Sequence, residues 1–167
     1  MIHIHLRRIF WVRLSQIGLV VPCALREWIN MATDIEQFHR NYTLSLKIIQ
    51  FPVAHNVDMA IGRAVSSPSL ATAASAIFGL WHALAASLMT AGAALLLRNI
   101  HSSHFTSLKL MAQLGLVLAI IQYVTLLGLI PMDFFMSWMQ DINFDTDLVA
   151  YAMPNAIGLF YLCLRDP

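Results

Sequence analysis

Charged residues are scarce in this sequence. Asp, Glu, Lys and Arg make up 11% of the 167 residues, whereas hydrophobic residues make up 59%; soluble domains average about 25% charged residues. The net charge is only +1, and no run of Lys and Arg occurs, so the chain lacks the basic surface that binds nucleic acid. This composition predicts a small integral membrane protein with a single domain over residues 1–167.

The sequence also lacks the elements of common catalytic and metal sites. Its two cysteines, Cys23 and Cys163, lie in apolar stretches, where a free thiol behaves as a small hydrophobic group, so we expect neither a disulfide nor a metal site. No glycine-rich phosphate loop, CxxC, HExxH or nucleophile elbow is present. We therefore expect a protein that is not an enzyme.

The hydrophobic residues form four segments, which predict an all-α membrane protein with four transmembrane helices. The segment at residues 71–97 contains no Asp, Glu, Lys or Arg. A helix of that length rises about 40 Å, more than the roughly 30 Å of bilayer hydrocarbon. The other predicted spans are residues 9–31, 110–130 and 148–164. The first span is expected to be retained, because no small-residue cleavage site follows it.

Two longer connections join these predicted spans. Residues 32–70 predict an amphipathic connection, in which Thr33 and Glu36 have the spacing of a capping box. This spacing predicts a helix over residues 34–50 that lies on the membrane surface or against a partner. Residues 131–147 predict an acidic, aromatic loop. Its candidate partner-docking residues are Phe134, Phe135 and Trp138.

The basic residues predict the orientation of the chain. With four spans, both termini lie on the same side as residues 98–109, and that side carries six of the ten Lys and Arg residues. Because Lys and Arg favour the cytoplasmic side, we predict that both termini are cytoplasmic and that residues 32–70 and 131–147 are extracytoplasmic. Eight of the nine acidic residues then face outward, as a docking surface would.

Small residues recur along residues 71–97 with two helical spacings. One series repeats every four residues and another every seven, so each predicts a face on which a second helix can approach closely. The helix-packing candidates are Ser75, Gly79, Ala83, Ala86, Ser87 and Ala93. The last span contains Pro154, which frees backbone groups, and Asn155; we expect both to find partners inside a helix bundle.

His82 lies in the middle of the 71–97 segment, and three roles are open for it. It can be a neutral histidine that is hydrogen-bonded to a neighbouring helix. It can be an axial ligand of haem or a chlorophyll-type pigment, for which Gly79 and Ala86 leave room. It can also relay protons or substrate. No other predicted span contains a histidine, so a bis-histidine haem site is not expected.

Short motifs in a fixed order link the chain to a known family. They are HNVDM at residues 55–59, RAVSSPSL at 63–70, GAALLLR at 92–98 and FFMSWMQ at 134–140. With this order of motifs and spans, the chain resembles the bacterial family of predicted small integral membrane proteins, a domain of unknown function with four spans. The resemblance implies a multi-pass topology and a bacterial inner-membrane location, and it implies no catalytic residues.

Three functions fit these features. The leading hypothesis is a non-catalytic accessory subunit that packs against other subunits of a larger membrane complex, such as a respiratory or other energy-converting assembly. The alternative is an electron-transfer protein that binds haem, a pigment or a quinone through His82. The third is a small-molecule transporter. In the leading interpretation the chain contacts lipid and holds no cofactor.

Overall fold

The computed structural model describes residues 2–50, 67–126, 130 and 145–164. Most of these residues are helical, and no strand occurs among them. The helices are α1 (Ile2–Glu36), α2 (Phe38–Gln50), α3 (Pro68–Arg98), α4 (Phe105–Leu108), α5 (Leu110–Gln122) and α6 (Asp145–Cys163). A π-helical turn over residues 123–126 extends α5. Phe134, Phe135 and Trp138, the predicted docking residues, lie outside the described residues.

Three of the described helices are long and apolar enough to cross a membrane. They are Arg7–Glu36, Pro68–Arg98 and Phe105–Leu126, and α6 contributes a shorter apolar helix, Val149–Cys163. The predicted all-helical membrane class is therefore confirmed. The fourth predicted span, residues 148–164, falls on the shorter helix, so the count of four spans remains a prediction.

The start of α3 follows from its sequence. Ser67 adopts extended backbone angles, and its hydroxyl accepts a hydrogen bond from the Leu70 amide at 3.3 Å. Pro68 occupies the first helical position, where its missing N–H is not needed and its fixed φ favours the helix. The predicted span of residues 71–97 lies entirely within α3.

The predicted capping box at Thr33 is wrong, because α1 runs through this position to Glu36. The Thr33 hydroxyl donates to the Ile29 carbonyl at 2.9 Å, as Thr does inside a helix. The backbone amides of Gln37 and Asn41 bond to the carbonyls of Thr33 and Gln37. Consequently α2 follows α1 with little interruption, and Asp34 belongs to α1.

Helix α2 packs on α3 of the same chain. Ile48 and Ile49 are buried, and the Ser45 hydroxyl lies 3.3 Å from the hydroxyl of Ser75. The helix that was predicted to lie on the membrane surface or against a partner thus packs on α3 near Ser75. Burial of its apolar side chains accounts for this position.

Helices α3 and α5 cross at two glycines. A Cβ on Gly92 would lie 2.5 Å from the backbone nitrogen of Ala112, and one on Gly115 would lie 2.8 Å from the backbone nitrogen of Met89. Each glycine therefore faces the backbone of the other helix. Small residues permit this close approach, which helix association in lipid favours.

Three parts of the chain meet at one end of the bundle. The Arg13 guanidinium of α1 donates to the carbonyls of Ile100 and Ser102 at 2.7 and 2.8 Å. The Lys109 ammonium donates to the Leu164 carbonyl at 3.1 Å. The first part of α1, the connection after α3 and the end of α6 therefore share this end.

Candidate functional site: a buried carboxylate–histidine cluster

His82 lies near the middle of the bundle. It is 14 residues after Pro68 and 16 residues before Arg98, the two ends of α3, which corresponds to about 21 and 24 Å along the helix. Its exposed fraction is 5%. If α3 spans the bilayer, His82 therefore lies close to its centre, far from water on either side.

Glu27 of α1 is the direct partner of His82. Its carboxylate Oε2 lies 2.5 Å from the imidazole Nδ1, and Glu27 is 0% exposed. The Tyr123 hydroxyl lies 3.0 and 3.2 Å from the two carboxylate oxygens. The Asn155 amide donates to Oε1 at 3.3 Å. Helices α3, α5 and α6 thus all contribute groups to one buried carboxylate.

Asp34 brings a second carboxylate to the same histidine. Its Oδ2 lies 3.6 Å from the imidazole Nε2, and its side chain is 19% exposed. The Asn41 amide of α2 donates to its other oxygen, Oδ1, at 3.0 Å. Because Asp34 follows Glu27 by seven residues, the two carboxylates share one face of α1. His82 therefore lies between two carboxylates, one fully buried and one partly exposed. Glu27, Asp34, His82, Tyr123 and Asn155 are called the central polar cluster below.

A second layer of contacts holds Tyr123 in place. The Asn30 amide donates to the Tyr123 hydroxyl at 2.8 Å. The Tyr123 ring stacks on the ring of Tyr151 at a centroid distance of 5.3 Å. The Arg26 guanidinium lies 4.1 Å from the centroid of the Tyr151 ring. These contacts connect α1, α5 and α6 around the buried carboxylate.

Pro154 explains the position of Arg26. Proline cannot donate a backbone hydrogen bond to the carbonyl four residues earlier, which is that of Ala150. The Arg26 guanidinium donates to this carbonyl at 2.8 Å. The expectation that the backbone groups freed by Pro154 find partners in the bundle is confirmed, as is that for Asn155, whose amide contacts Glu27 and the Tyr151 carbonyl.

The central polar cluster has more acceptors than donors. Asp34 Oδ2 and Asn155 Oδ1 are buried and have no hydrogen-bond donor, and Oε1 of Gln122, next to Tyr123 in the chain, is in the same situation. Buried oxygens without a donor are uncommon in folded proteins. Added protons would turn a carboxylate acceptor into a donor, so the cluster is chemically suited to binding them.

The predicted packing residues of α3 fall into three environments. Ser75, Ala86 and Ala93 are buried, Gly79 and Ala83 are partly buried, and Ser87 is exposed. At Gly79 a Cβ would have Asp34 Cβ as its nearest neighbour, at 3.7 Å. An alanine at this position would therefore make an ordinary van der Waals contact with Asp34.

Both ring nitrogens of His82 face carboxylate oxygens. An iron or magnesium ion would need one of these nitrogens, so this arrangement leaves none directed at a haem or pigment. Across the described ranges, no group of three or more His, Cys, Asp and Glu side chains is arranged to hold a metal ion.

Glu27 and Asp34 were not identified as site residues from the sequence. Glu27 lies near the end of the predicted first span, which stops at residue 31. Asp34 lies inside the predicted capping box. Their seven-residue spacing was the available signal, because it puts two acidic residues on one face of a helix. This spacing places both acids on one face only if a single helix contains them. Helix α1 does, because it continues past residue 31 to Glu36.

A family model matches nearly the whole chain. The family model "Predicted small integral membrane protein (DUF2165)" matches residues 12–165, a range that contains the whole central polar cluster. No curated protein and no solved structure matches the chain. Since the family model covers nearly the whole sequence, the resemblance found in the short motifs is confirmed: the chain belongs to the family of predicted small integral membrane proteins of unknown function.

Proposed function

We propose that this protein is a proton-coupled membrane carrier in which Glu27, His82 and Asp34 form the proton-binding site. The observation that supports this proposal is the complete burial of the Glu27 carboxylate beside His82, about 20 Å or more along α3 from either helix end. Ionisable side chains are costly at such depth, and in membrane proteins they mark proton or substrate paths.

The order of the three groups suits a proton relay. Asp34 is partly exposed, and its Oδ2 lies 3.6 Å from His82 Nε2. The carboxyl proton passes to Nε2 when this separation closes to hydrogen-bond distance. The imidazole then releases the proton on Nδ1 to Glu27 Oε2, at 2.5 Å. An imidazole transfers protons in this way because it accepts at one nitrogen and donates from the other. Exchange of the ring proton between the two nitrogens restores the starting tautomer.

The charge of the site sets the number of protons it holds. With both carboxylates ionised and His82 neutral, the net charge is −2, and two further protons make the site neutral. A net charge is expensive inside a bilayer, so we expect the closed site to hold two protons. Loss of one leaves a single negative charge, which favours uptake of the next proton.

The surroundings of Glu27 favour stepwise carriage over an open pore. Toward the end of the bundle where Arg13 lies, the buried residues of α1 that come before Glu27 are mostly apolar. They are Ile17, Val20, Cys23 and Ala24. The nearest buried polar residue of α1 in that direction is Gln16, 11 residues or about 16 Å away. A proton therefore needs a change of conformation to leave on that side.

Proton entry into liposomes tests this function. Purified protein is reconstituted with an entrapped pH-sensitive dye, and a pH gradient is imposed. We expect Glu27→Gln, which keeps the shape of the side chain, to slow proton entry about tenfold or more, as loss of a proton-transfer group does. Glu36→Gln is the matched control, because Glu36 is an exposed carboxylate on the same helix; its rate should equal that of the wild type.

Infrared difference spectroscopy follows the carboxyl group itself and does not depend on a coupled solute. Lowering the pH should produce the C=O stretch of a protonated carboxylic acid, and this band should be weaker in Glu27→Gln but unchanged in Glu36→Gln. Wild-type liposomes that admit no more protons than protein-free ones, with no titrating Glu27 carboxyl, would contradict the proposal. The cluster would then be a structural contact between helices.

An accessory subunit is the second candidate function. Ser87 and Ala91 continue the four-residue series of small side chains on α3, and both are exposed. No described helix of this chain covers them, so they are available to a helix of another subunit. We propose that this partner belongs to a larger complex, such as a respiratory assembly, in the bacterial inner membrane. Purification in mild detergent as an isolated monomer would count against this candidate.

The proposed orientation places both termini in the cytoplasm. Arg7, Arg13 and Arg98 support it, because they lie in the first part of α1 and at the end of α3, and basic residues favour the cytoplasmic side. Cysteine labelling of intact cells at residue 103, in the connection after α3, is the test. Labelling by a membrane-impermeant reagent would contradict this orientation.

A further inference from the structure

An open groove of about 720 Å³ lies at the end of the bundle where Arg13 contacts the connection after α3. It is separate from the central polar cluster. The first part of α1 forms one wall and residues 100–103 form the other. Side chains that matter for its chemistry are Arg7, Phe10, Trp11, Arg13, His101 and Ser102.

Two arginines and no acidic residue line this groove. Arg7 and Arg13 line it, and neither residues 1–26 nor residues 98–109 contain an Asp or Glu. Arg8 and Arg98 add further positive charge in the same two segments. An anion is therefore the ligand that this electrostatic environment attracts.

Several contacts hold the walls together. Arg13 bonds to the carbonyls of Ile100 and Ser102, and its guanidinium lies 4.6 Å from the centroid of the Phe105 ring. The Phe10 ring stacks on the ring of His101 with a centroid distance of 5.6 Å and an interplanar angle of 10°. The groove is thus built by tertiary contacts between two segments that are far apart in the sequence.

The depth of the groove matches the headgroup layer. Arg13 lies 14 residues before Glu27, about 21 Å along α1, and a bilayer with its headgroups is about 40–45 Å thick. Trp11 lies beside the groove and is 63% exposed, as expected for a tryptophan at the membrane interface. A ligand in this position meets headgroups on one side and acyl chains on the other.

We propose that this groove binds the phosphate headgroup of an anionic phospholipid. Arg7 and His101 contact the headgroup, and the acyl chains descend along the exposed ring of Trp11. Arg13 holds the two walls together through its bonds to the carbonyls of Ile100 and Ser102. Basic pockets at helix ends recognise lipid headgroups by this combination of charge and depth. Free phosphate shares the charge but lacks the acyl chains, so it should bind much more weakly.

Lipid binding to the delipidated full-length protein in a neutral detergent tests the proposal. Phosphatidylglycerol and phosphatidylcholine with brominated chains are titrated separately, and the quenching of tryptophan fluorescence is measured. The part of the quenching that is lost in Trp11→Phe is assigned to Trp11. We expect phosphatidylglycerol to bind more tightly than phosphatidylcholine. Arg7→Gln should lower the affinity for phosphatidylglycerol about fivefold, the usual effect of one basic residue near an anionic surface.

Arg8→Gln is the matched control. Arg8 is exposed and adjacent to Arg7, but it does not line the groove, so its loss should leave the affinity near that of the wild type. Equal loss in both variants would show diffuse attraction and overturn the site. Equal affinity for the two lipids, or displacement of phosphatidylglycerol by inorganic phosphate at the same concentration, would also overturn it.

Discussion

Replacing Gly92 with alanine measures how closely α3 and α5 approach. A Cβ at this position would lie 2.5 Å from the nitrogen, 2.7 Å from the Cβ and 2.8 Å from the Cα of Ala112. Non-bonded carbon atoms prefer about 3.5–4.0 Å, so the helices must separate by about 1 Å. Two of these three atoms are backbone atoms of Ala112, which cannot rotate out of the way.

Gly18 provides the matched control for this substitution. It lies in α1, is exposed, and a Cβ there would meet no atom within 4 Å. Alanine is favoured over glycine by about 1 kcal/mol inside a helix, and this gain applies to both positions. Overpacking costs about 1–3 kcal/mol and applies only to Gly92. The difference between the two variants therefore isolates the packing cost.

Equilibrium unfolding in mixed micelles, followed by circular dichroism at increasing SDS, gives the free energy of unfolding of each variant. We expect Gly18→Ala to be more stable than wild type by up to about 1 kcal/mol. Gly92→Ala should lie about 1–3 kcal/mol below Gly18→Ala. A Gly92→Ala protein as stable as Gly18→Ala would refute the close crossing of α3 and α5.

Three other substitutions test separate contacts by the same unfolding measurement. Glu27→Ala should cost about 3 kcal/mol, because His82, Tyr123 and Asn155 lose a buried hydrogen-bond partner, and the Glu27→Ala/His82→Ala double variant should cost less than the sum of the two single variants; additive costs would argue against the pairing. Ser67→Ala should cost about 1 kcal/mol through loss of the α3 cap, and no change would argue against that cap. Trp81→Phe should cost about 1 kcal/mol, because the indole N–H donates to the Leu118 carbonyl at 2.9 Å; an unchanged stability would contradict this bond.

Local sequence accounts for the helices themselves. The uncharged segment at residues 71–97 can satisfy its backbone hydrogen bonds in lipid only within a helix or a closed barrel, and its length and small residues favour the helix. Pro68 and Ser67 mark its start through local backbone chemistry. Pro154 predicted that a backbone carbonyl would need a partner. The predicted helix over residues 71–97 and the predicted partner for the carbonyl freed by Pro154 are confirmed, because each need arises from residues close together in the chain.

The set of residues that surround His82 depends on contacts between helices that are far apart in the sequence. His82 was recognisable as a polar side chain inside an apolar segment, but its partners were not. Thr33 and Glu36 match a capping box, which predicts a helix start at a position where α1 in fact continues. Whether Glu27 and Asp34 share a face depends on that continuity. The packing of α1 against α3 supports the continuity of α1, and no local sequence pattern predicts such a contact.

The sequence by itself therefore determined the membrane class, the position of α3 and the presence of one ionisable group within it. Only the tertiary structure decided which groups surround His82 and that α3 and α5 cross at Gly92 and Gly115. The physical reason is that helix formation in lipid depends on the hydrogen bonds of one segment. The pairing of buried side chains depends on the relative rotation and depth of several helices, which their mutual packing sets.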